Sequence, residues 1–254
     1  MRKITYVLIL VLLTVFTFIN PVMAENFYEL VKDGSPAKIQ KAVDDGANVN
    51  ARDDGGWTPL MEAAGWNGNP KVIEVLLDAG ANVNARNEDG WTPLMVAAGD
   101  IENPEVTKVL LDAGANVNAR NEDGYSPLMS ATKYNENPEV IEVLLDAGAD
   151  ISTKDEDGYT PLMVVTRYNE NSEVIEILLD AGADVNSRNN YEATPLMWAA
   201  YETKNPKVIN LLLNNGADGS LENKDGKTAF DLAKQNEKLE GTDAYWKLNN
   251  AQYD

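Results

Sequence analysis

The sequence predicts an all-α solenoid of stacked helix pairs, and three observations carry that expectation. The phrase Gly56-Trp57-Thr58-Pro59-Leu60-Met61 returns in near-identical form at Gly90, Gly124 and Gly158, with a worn copy at Thr194-Pro195-Leu196-Met197 and a terminal one at Thr228-Ala229-Phe230, each 34 residues on. Gly46, Gly80, Gly114, Gly148, Gly182 and Gly216 keep the same step of 34. Between these markers apolar residues recur at helical spacing, as in Val72, Ile73, Leu76 and Leu77. A fixed period of this length marks supersecondary units that bury a core only when stacked on one another.

Residues 1–24 stand apart from that pattern. Arg2 and Lys3 precede an apolar run from Ile4 to Ile19, and Val22-Met23-Ala24 places small residues before Glu25. This is the layout of a cleaved export signal, and a largely apolar run of 16 residues falls short of the roughly 20 needed to span a bilayer core. The expected mature chain is 25–254, exported to a bacterial periplasm or, alternatively, released into the medium, with no membrane attachment after cleavage.

The repeat domain divides into an N-terminal cap unit (25–55), central repeats (56–221) and a C-terminal cap unit (222–254), about seven units in all. The cap at 25–55 replaces Thr-Pro-Leu with Phe27-Tyr28-Glu29-Leu30-Val31 and puts Lys38, Lys41 and Ala42 where later units carry Val or Leu. In the central units Thr58-Pro59 reads as a helix start, the threonine capping free N–H groups and the proline occupying the first turn, where its missing donor costs nothing. Leu60, Ala63 and Ala64 make that short helix fit closely against its neighbours. Asn69-Pro70 opens a second helix by the same logic, repeated at Asn103, Asn137 and Asn205 and, without proline, at Asn171-Ser172. Gly80 suits a left-handed helix cap, and Asn82 to Gly90 is a turn with an Asp-Gly tip. In the last unit Leu232-Ala233 and the stretch from Asp243 to Asn250 close the array, with Trp246 and Leu248 expected to seal the final interface.

The pattern resembles the ankyrin repeat, of an exported bacterial type. The matching residues are Gly-x-Thr-Pro-Leu at each unit start, Ala63-Ala64, and Val75-Leu76-Leu77-Asp78-Ala79-Gly80-Ala81-Asn82-Val83-Asn84. Two departures are visible: one residue more than the family's period of 33, placed around Gly65 to Pro70, and methionine (Met61, Met95, Met129, Met163, Met197) where the family carries histidine. The resemblance implies helix pairs with β-turn fingers and a concave surface, formed by fingers and first helices, that grips a partner protein.

Carried over unit by unit, the partner-facing positions form columns. Trp57, Trp91, Tyr125 and Tyr159 make an aromatic ladder, readable either as stacking between units or as partner contact. Trp66, Asp100, Tyr134, Tyr168 and Glu202 make a column that varies from unit to unit and favours contact. Lys133, Arg167, Trp198 and Tyr201 complete the candidate binding set, and finger residues such as Arg52, Arg86, Arg120, Lys154 and Arg188 share the partner-facing positions. Trp, Tyr and Arg are the side chains most often found as interface anchors. Lys133 and Arg167 would suit an acidic spot on the partner, and the finger acids a basic one; both options stand at this point.

Composition narrows the function classes. The chain has no cysteine and no histidine and a formal charge of −20; without residues 1–24 it keeps all 41 acidic residues and 19 of the 21 basic ones, giving −22. Such a surface repels nucleic acid and anionic lipid. The usual zinc ligands, a cysteine nucleophile and an imidazole base are all missing. The acids at Asp53-Asp54, Glu88-Asp89, Glu122-Asp123 and Asp155-Glu156-Asp157 lack the spacing of a calcium loop. The expectation is a monomeric, non-catalytic scaffold with no cofactor or metal and one protein partner. The rival readings are a secreted effector and a calcium-stabilised structural solenoid.

Overall fold

The computed structural model describes residues 20–253, with side chains from residue 27 onward. The expected leader lies outside the described residues except for the backbone of residues 20–24, which opens the first helix. Fourteen helices and no strand are present among the described residues, arranged as seven consecutive pairs. The pairs are α1 (Asn20–Asp33) with α2 (Pro36–Asp44), α3 (Pro59–Trp66) with α4 (Pro70–Asp78), α5 (Pro93–Asp100) with α6 (Pro104–Asp112), and α7 (Pro127–Tyr134) with α8 (Pro138–Asp146). There follow α9 (Pro161–Tyr168) with α10 (Ser172–Asp180), α11 (Pro195–Glu202) with α12 (Pro206–Asn214), and α13 (Ala229–Ala233) with α14 (Asp243–Ala251). No described helix is long and apolar enough to cross a membrane.

Local chemistry sets every boundary. Thr58 Oγ1 accepts from Met61 N at 3.3 Å with Pro59 in the first turn, and Thr92, Ser126, Thr160 and Thr194 repeat the cap. Asn69 Oδ1 accepts from Lys71 N, while Asn171, lacking the following proline, accepts from both Glu173 N and Val174 N. At the end of α4, Gly80 has φ 87°. Its N–H donates to Leu77 O and that of Ala81 to Leu76 O, both at 2.9 Å, which is a Schellman closure that a β-carbon would strain.

The core is continuous along the stack. Leu60, Ala63, Ala64, Val72, Ile73 and Leu76 are fully buried, as are most of their counterparts in later units, and one cluster runs from Phe27 to Leu248. Leu77, expected on the same face, sits half-buried at its edge. The five methionines that replace the family's histidine are buried, so apolar packing fills those sites. Each buried Leu, Ile or Val contributes roughly 1.5–3 kcal/mol, and most contacts lie between units, so no pair is self-sufficient.

Two polar ladders bind unit to unit. Asn50 donates from Nδ2 to Gly80 O (2.8 Å) and accepts from Asn82 N (2.9 Å); Asn84, Asn118 and Asn186 repeat this bracket. Ser152 interrupts it, being too short to cross, and turns back to Asp150. The second ladder runs through the finger bases. Arg52 donates to Arg86 O at 2.7 Å, Arg86 to Arg120 O at 2.6 Å and Lys154 to Arg188 O at 2.8 Å, with Arg120 reaching Lys154 O and Arg188 reaching Glu222 O.

The two ends close differently. At the start Phe27 and Val31 are buried and Tyr28 Oη donates to Trp57 O at 3.1 Å. At the finish Phe230, Leu239, Ala244 and Leu248 are buried, with the Phe230 and Tyr245 rings 5.0 Å apart. Trp246 does not seal the last interface as expected. It is 56% exposed, with its ring edge-on to Tyr245 at 5.3 Å while Leu248 takes the buried place.

Candidate interaction face

Fingers and first helices meet along one side of the stack. Each finger is pinned at its base by one side chain: Asn87, Asn121 and Asp155 each accept, 2.8 Å away, from the N–H of the aromatic residue four positions on, Trp91, Tyr125 or Tyr159. Neighbouring fingers are joined by backbone bonds from Glu88 N to Gly55 O, Glu122 N to Asp89 O and Glu156 N to Asp123 O, at 2.9–3.0 Å. In the worn sixth unit Glu192 occupies the finger position held elsewhere by glycine and takes φ 58°, with its carboxylate 3.0 Å from the Arg188 guanidinium.

Two cations lie embedded among the rings of this face. Lys133 Nζ sits 5.1 Å from the Tyr125 ring centre and 4.9 Å from those of Tyr134 and Tyr168. The Arg167 guanidinium lies 4.2 Å from Trp198, 4.9 Å from Tyr168 and 5.5 Å from Tyr159. It also donates to Tyr159 Oη at 2.5 Å and approaches Glu202 at 3.5 Å. Burial pushes the Tyr159 phenol up to about 12 and raises that of Tyr125 as well. For Lys133, burial pulls the ammonium down, but the Tyr134 and Tyr125 hydroxyls outweigh it and the net shift is upward. Lys133 is therefore held charged, and both cations lie against π faces, where such contacts are worth about 0.5–2 kcal/mol each. Arg167 Nε, 3.5 Å from Glu202 Oε1, and Trp198 Nε1 are both covered and make no hydrogen bond among the described residues.

A family model described as ankyrin repeats (3 copies) matches residues 27–121, 84–155, 128–223 and 162–242. The chain belongs to the ankyrin repeat family. Among solved structures it is similar to the human ASB11 ankyrin repeat domain, with a TM-score of 0.78 and 29% identity over 89% of this chain and 96% of that one. No functionally curated protein matches it. Ankyrin repeats generally serve as protein–protein interaction scaffolds.

Within this ankyrin array the sequence-predicted residues fall into three groups. Trp66 (70% exposed), Tyr134 (53%), Tyr168 (46%) and Tyr201 (45%) stand out from the surface, and Asp100 is exposed beside them. Burial raises the Asp100 carboxyl above its ordinary value. Trp57, Trp91, Tyr125, Lys133, Arg167 and Trp198 are half-buried. Tyr159 is only 5% exposed. Its place in the candidate set is corrected here: it offers no surface, because Trp198 of the next unit stacks on it at 5.4 Å and Arg167 binds its hydroxyl.

The basic residues of the finger bases are also tied within the stack. Arg52, Arg86, Arg120, Lys154 and Arg188 spend donors on the carbonyls of the next finger. The 34-residue spacing of donor and acceptor was visible in the sequence, but the chain direction that brings them together was not. The finger acids Asp54, Glu88, Asp89, Glu122, Asp123, Glu156 and Asp157 are all exposed, and none of their carboxylates forms an ion pair or accepts a side-chain hydrogen bond among the described residues. Among those residues, no three carboxylates converge closely enough to hold a metal ion.

Two clefts open on the face. One, of about 350 Å³, is lined by Trp91, Tyr125, Tyr134 and Lys133 together with Asp123, Asp155, Glu156 and Asp157. The other, of about 300 Å³, lies between the sixth and seventh units, lined by Tyr191, Trp198, Tyr201, Lys227 and Leu232 among others. Tyr191 is among the partner-facing positions of the sixth unit, whereas Lys227 lies beyond the columns, which end at that unit.

Proposed function

We propose that the protein is an exported ankyrin repeat scaffold that holds a partner protein on its finger-and-first-helix face and catalyses no reaction itself. The row of exposed aromatics Trp66, Tyr134, Tyr168 and Tyr201 on that face carries the reading. Large apolar rings left outside a core that buries nearly every other aliphatic side chain mark a surface kept for contact. The absence of cysteine and histidine and the dispersed carboxylates support a non-catalytic role. The basic start, the apolar run Ile4–Ile19 and Val22-Met23-Ala24 support export, with the periplasm as the place of action.

The decisive experiment pairs Tyr134→Ala with Tyr168→Ala. Both rings are about half exposed, so their loss spares the core. The double variant keeps the helical circular dichroism of the parent and loses capture of the partner in pull-downs from the exporting cells; undiminished capture overturns the assignment of the face. Fractionation followed by N-terminal sequencing tests export: a periplasmic chain starting at Glu25 is expected, recovery mainly from the medium favours an effector, and an uncleaved cytoplasmic chain rejects export.

A further inference from the structure

We infer that the partner presents to this face an extended segment in a polyproline-type conformation, with a lysine or arginine at every third position. The inference rests on the scaffold reading above and deepens it by naming the chemistry of what is held.

The sign of the charge follows from which ions of the face are already engaged. Lys133 and Arg167 are turned into aromatic rings and tied to tyrosine hydroxyls, so neither projects as a free cation toward an acidic partner. The finger carboxylates are exposed and unpaired. In the cleft between the fourth and fifth fingers, Asp123, Asp155, Glu156 and Asp157 stand against the one ammonium of Lys133. Trp91, Tyr125 and Tyr134 line the same cleft. Aromatic rings and carboxylates sharing a cleft are complementary to a long basic side chain, whose methylenes lie along the rings while its charge reaches a carboxylate.

The spacing follows from the repeat. Equivalent finger residues, Glu88, Glu122 and Glu156, recur once per unit, and stacked helices lie about 8–10 Å apart. A polyproline helix rises about 3.1 Å per residue with three residues per turn. One turn, about 9 Å, therefore advances one unit and returns a side chain to the same face. A β-strand covers the distance in the same number of residues but points the third side chain away. An α-helix needs about six residues at 1.5 Å each and brings the wrong side round. Periodic carboxylates on the fingers thus select a periodic, extended, basic ligand over a compact basic patch.

The test titrates the purified protein with three labelled twelve-residue peptides, followed by fluorescence anisotropy at near-physiological salt. The first repeats Lys-Pro-Pro four times, the second has the same composition with its lysines adjacent, and the third repeats Glu-Pro-Pro. The spaced lysine peptide is expected to bind at least tenfold tighter than the clustered one, and the glutamate peptide not at all. Combining Glu88→Gln, Glu122→Gln and Glu156→Gln, three exposed side chains outside the core, should weaken the spaced peptide at least tenfold. Equal binding of the two lysine peptides would reduce the effect to diffuse attraction and overturn the inference, as would indifference to the triple variant or preference for the glutamate peptide. If no lysine peptide binds while Tyr134→Ala with Tyr168→Ala still abolishes partner capture, the basic ligand is rejected and the scaffold stands. If capture survives as well, both are rejected.

Discussion

The two halves of the interaction face are built from the same repeat but by opposite means. In the second and third units the penultimate residue of the first helix is glycine, Gly65 or Gly99. In the fourth, fifth and sixth it is Lys133, Arg167 or Tyr201. A β-carbon on Gly65 would lie 2.9 Å from Val96 Cγ1, and one on Gly99 2.7 Å from Ser130 Oγ. First helices therefore pack most closely in this half, with Trp66 and Asp100 at its surface. In the other half the long cations fan out over the surface and gather Tyr125, Tyr134, Tyr168 and Trp198 around them. One half gains its stability from backbone proximity, the other from side chains laid over the joint. Because partners touch side chains, the contact surface proposed above falls mostly on the second half.

The strongest way to break that contrast is Gly99→Val. Gly99 is buried, and the group in its way, Ser130 Oγ, donates to Met95 O at 2.8 Å, so the serine cannot turn aside without losing a buried bond. Overpacking of this kind costs about 1–3 kcal/mol, offset in part by removing a glycine from a helix. A net loss of about 2 kcal/mol in urea unfolding is expected. Unchanged stability would show that closeness of the helices does not govern this half.

A smaller effect belongs to Arg167→Lys in the other half. Lysine keeps the charge but cannot stack a planar group on Trp198 while bonding Tyr159 Oη. The expected loss is about 1 kcal/mol, from one π contact and one hydrogen bond. The tryptophan emission should shift as Trp198 loosens. An unaltered emission spectrum would mean that Trp198 is held by Tyr159 alone and that the cation is incidental.

How much of this could be read from the sequence differs between backbone and face. Helix starts, ends and the unit count were legible because each is written in local chemistry: Thr58 before Pro59, Asn69 before Pro70, Gly80 after Ala79. The face was legible as columns but not as exposure. Tyr125 and Tyr159 have almost the same neighbours in sequence, yet only Tyr159 is buried, because the next unit places Trp198 against it where Ser130 and Val164 stand in earlier units. That difference lies 39 residues away and depends on the neighbour's size. The arginine ladder escaped notice for a related reason: its acceptors are backbone carbonyls, which carry no residue signature. Trp246 has the composition of a sealing residue, but the turn of the helix gives the buried place to Leu248 instead.

The smallest expected effect tests the uncrowded half through pH. Asp100 takes the column position held by Trp66, Tyr134 and Tyr168, and burial raises its carboxyl above the ordinary aspartate value. A carboxyl whose folded-state pKa is raised favours the fold when protonated, and that contribution disappears as pH climbs through the folded-state value. Asp100→Asn has no such dependence. The variant should therefore match the parent in mild acid and exceed it near neutrality. The gain is a few tenths of a kcal/mol, since the residue is exposed enough for solvent to screen it. Urea midpoints for both proteins at acidic and neutral pH measure the gap. A gap that widens toward acid would mean that an opposite charge stabilises the Asp100 carboxylate, and the first half of the face would then need the kind of ionic packing assigned above to the second.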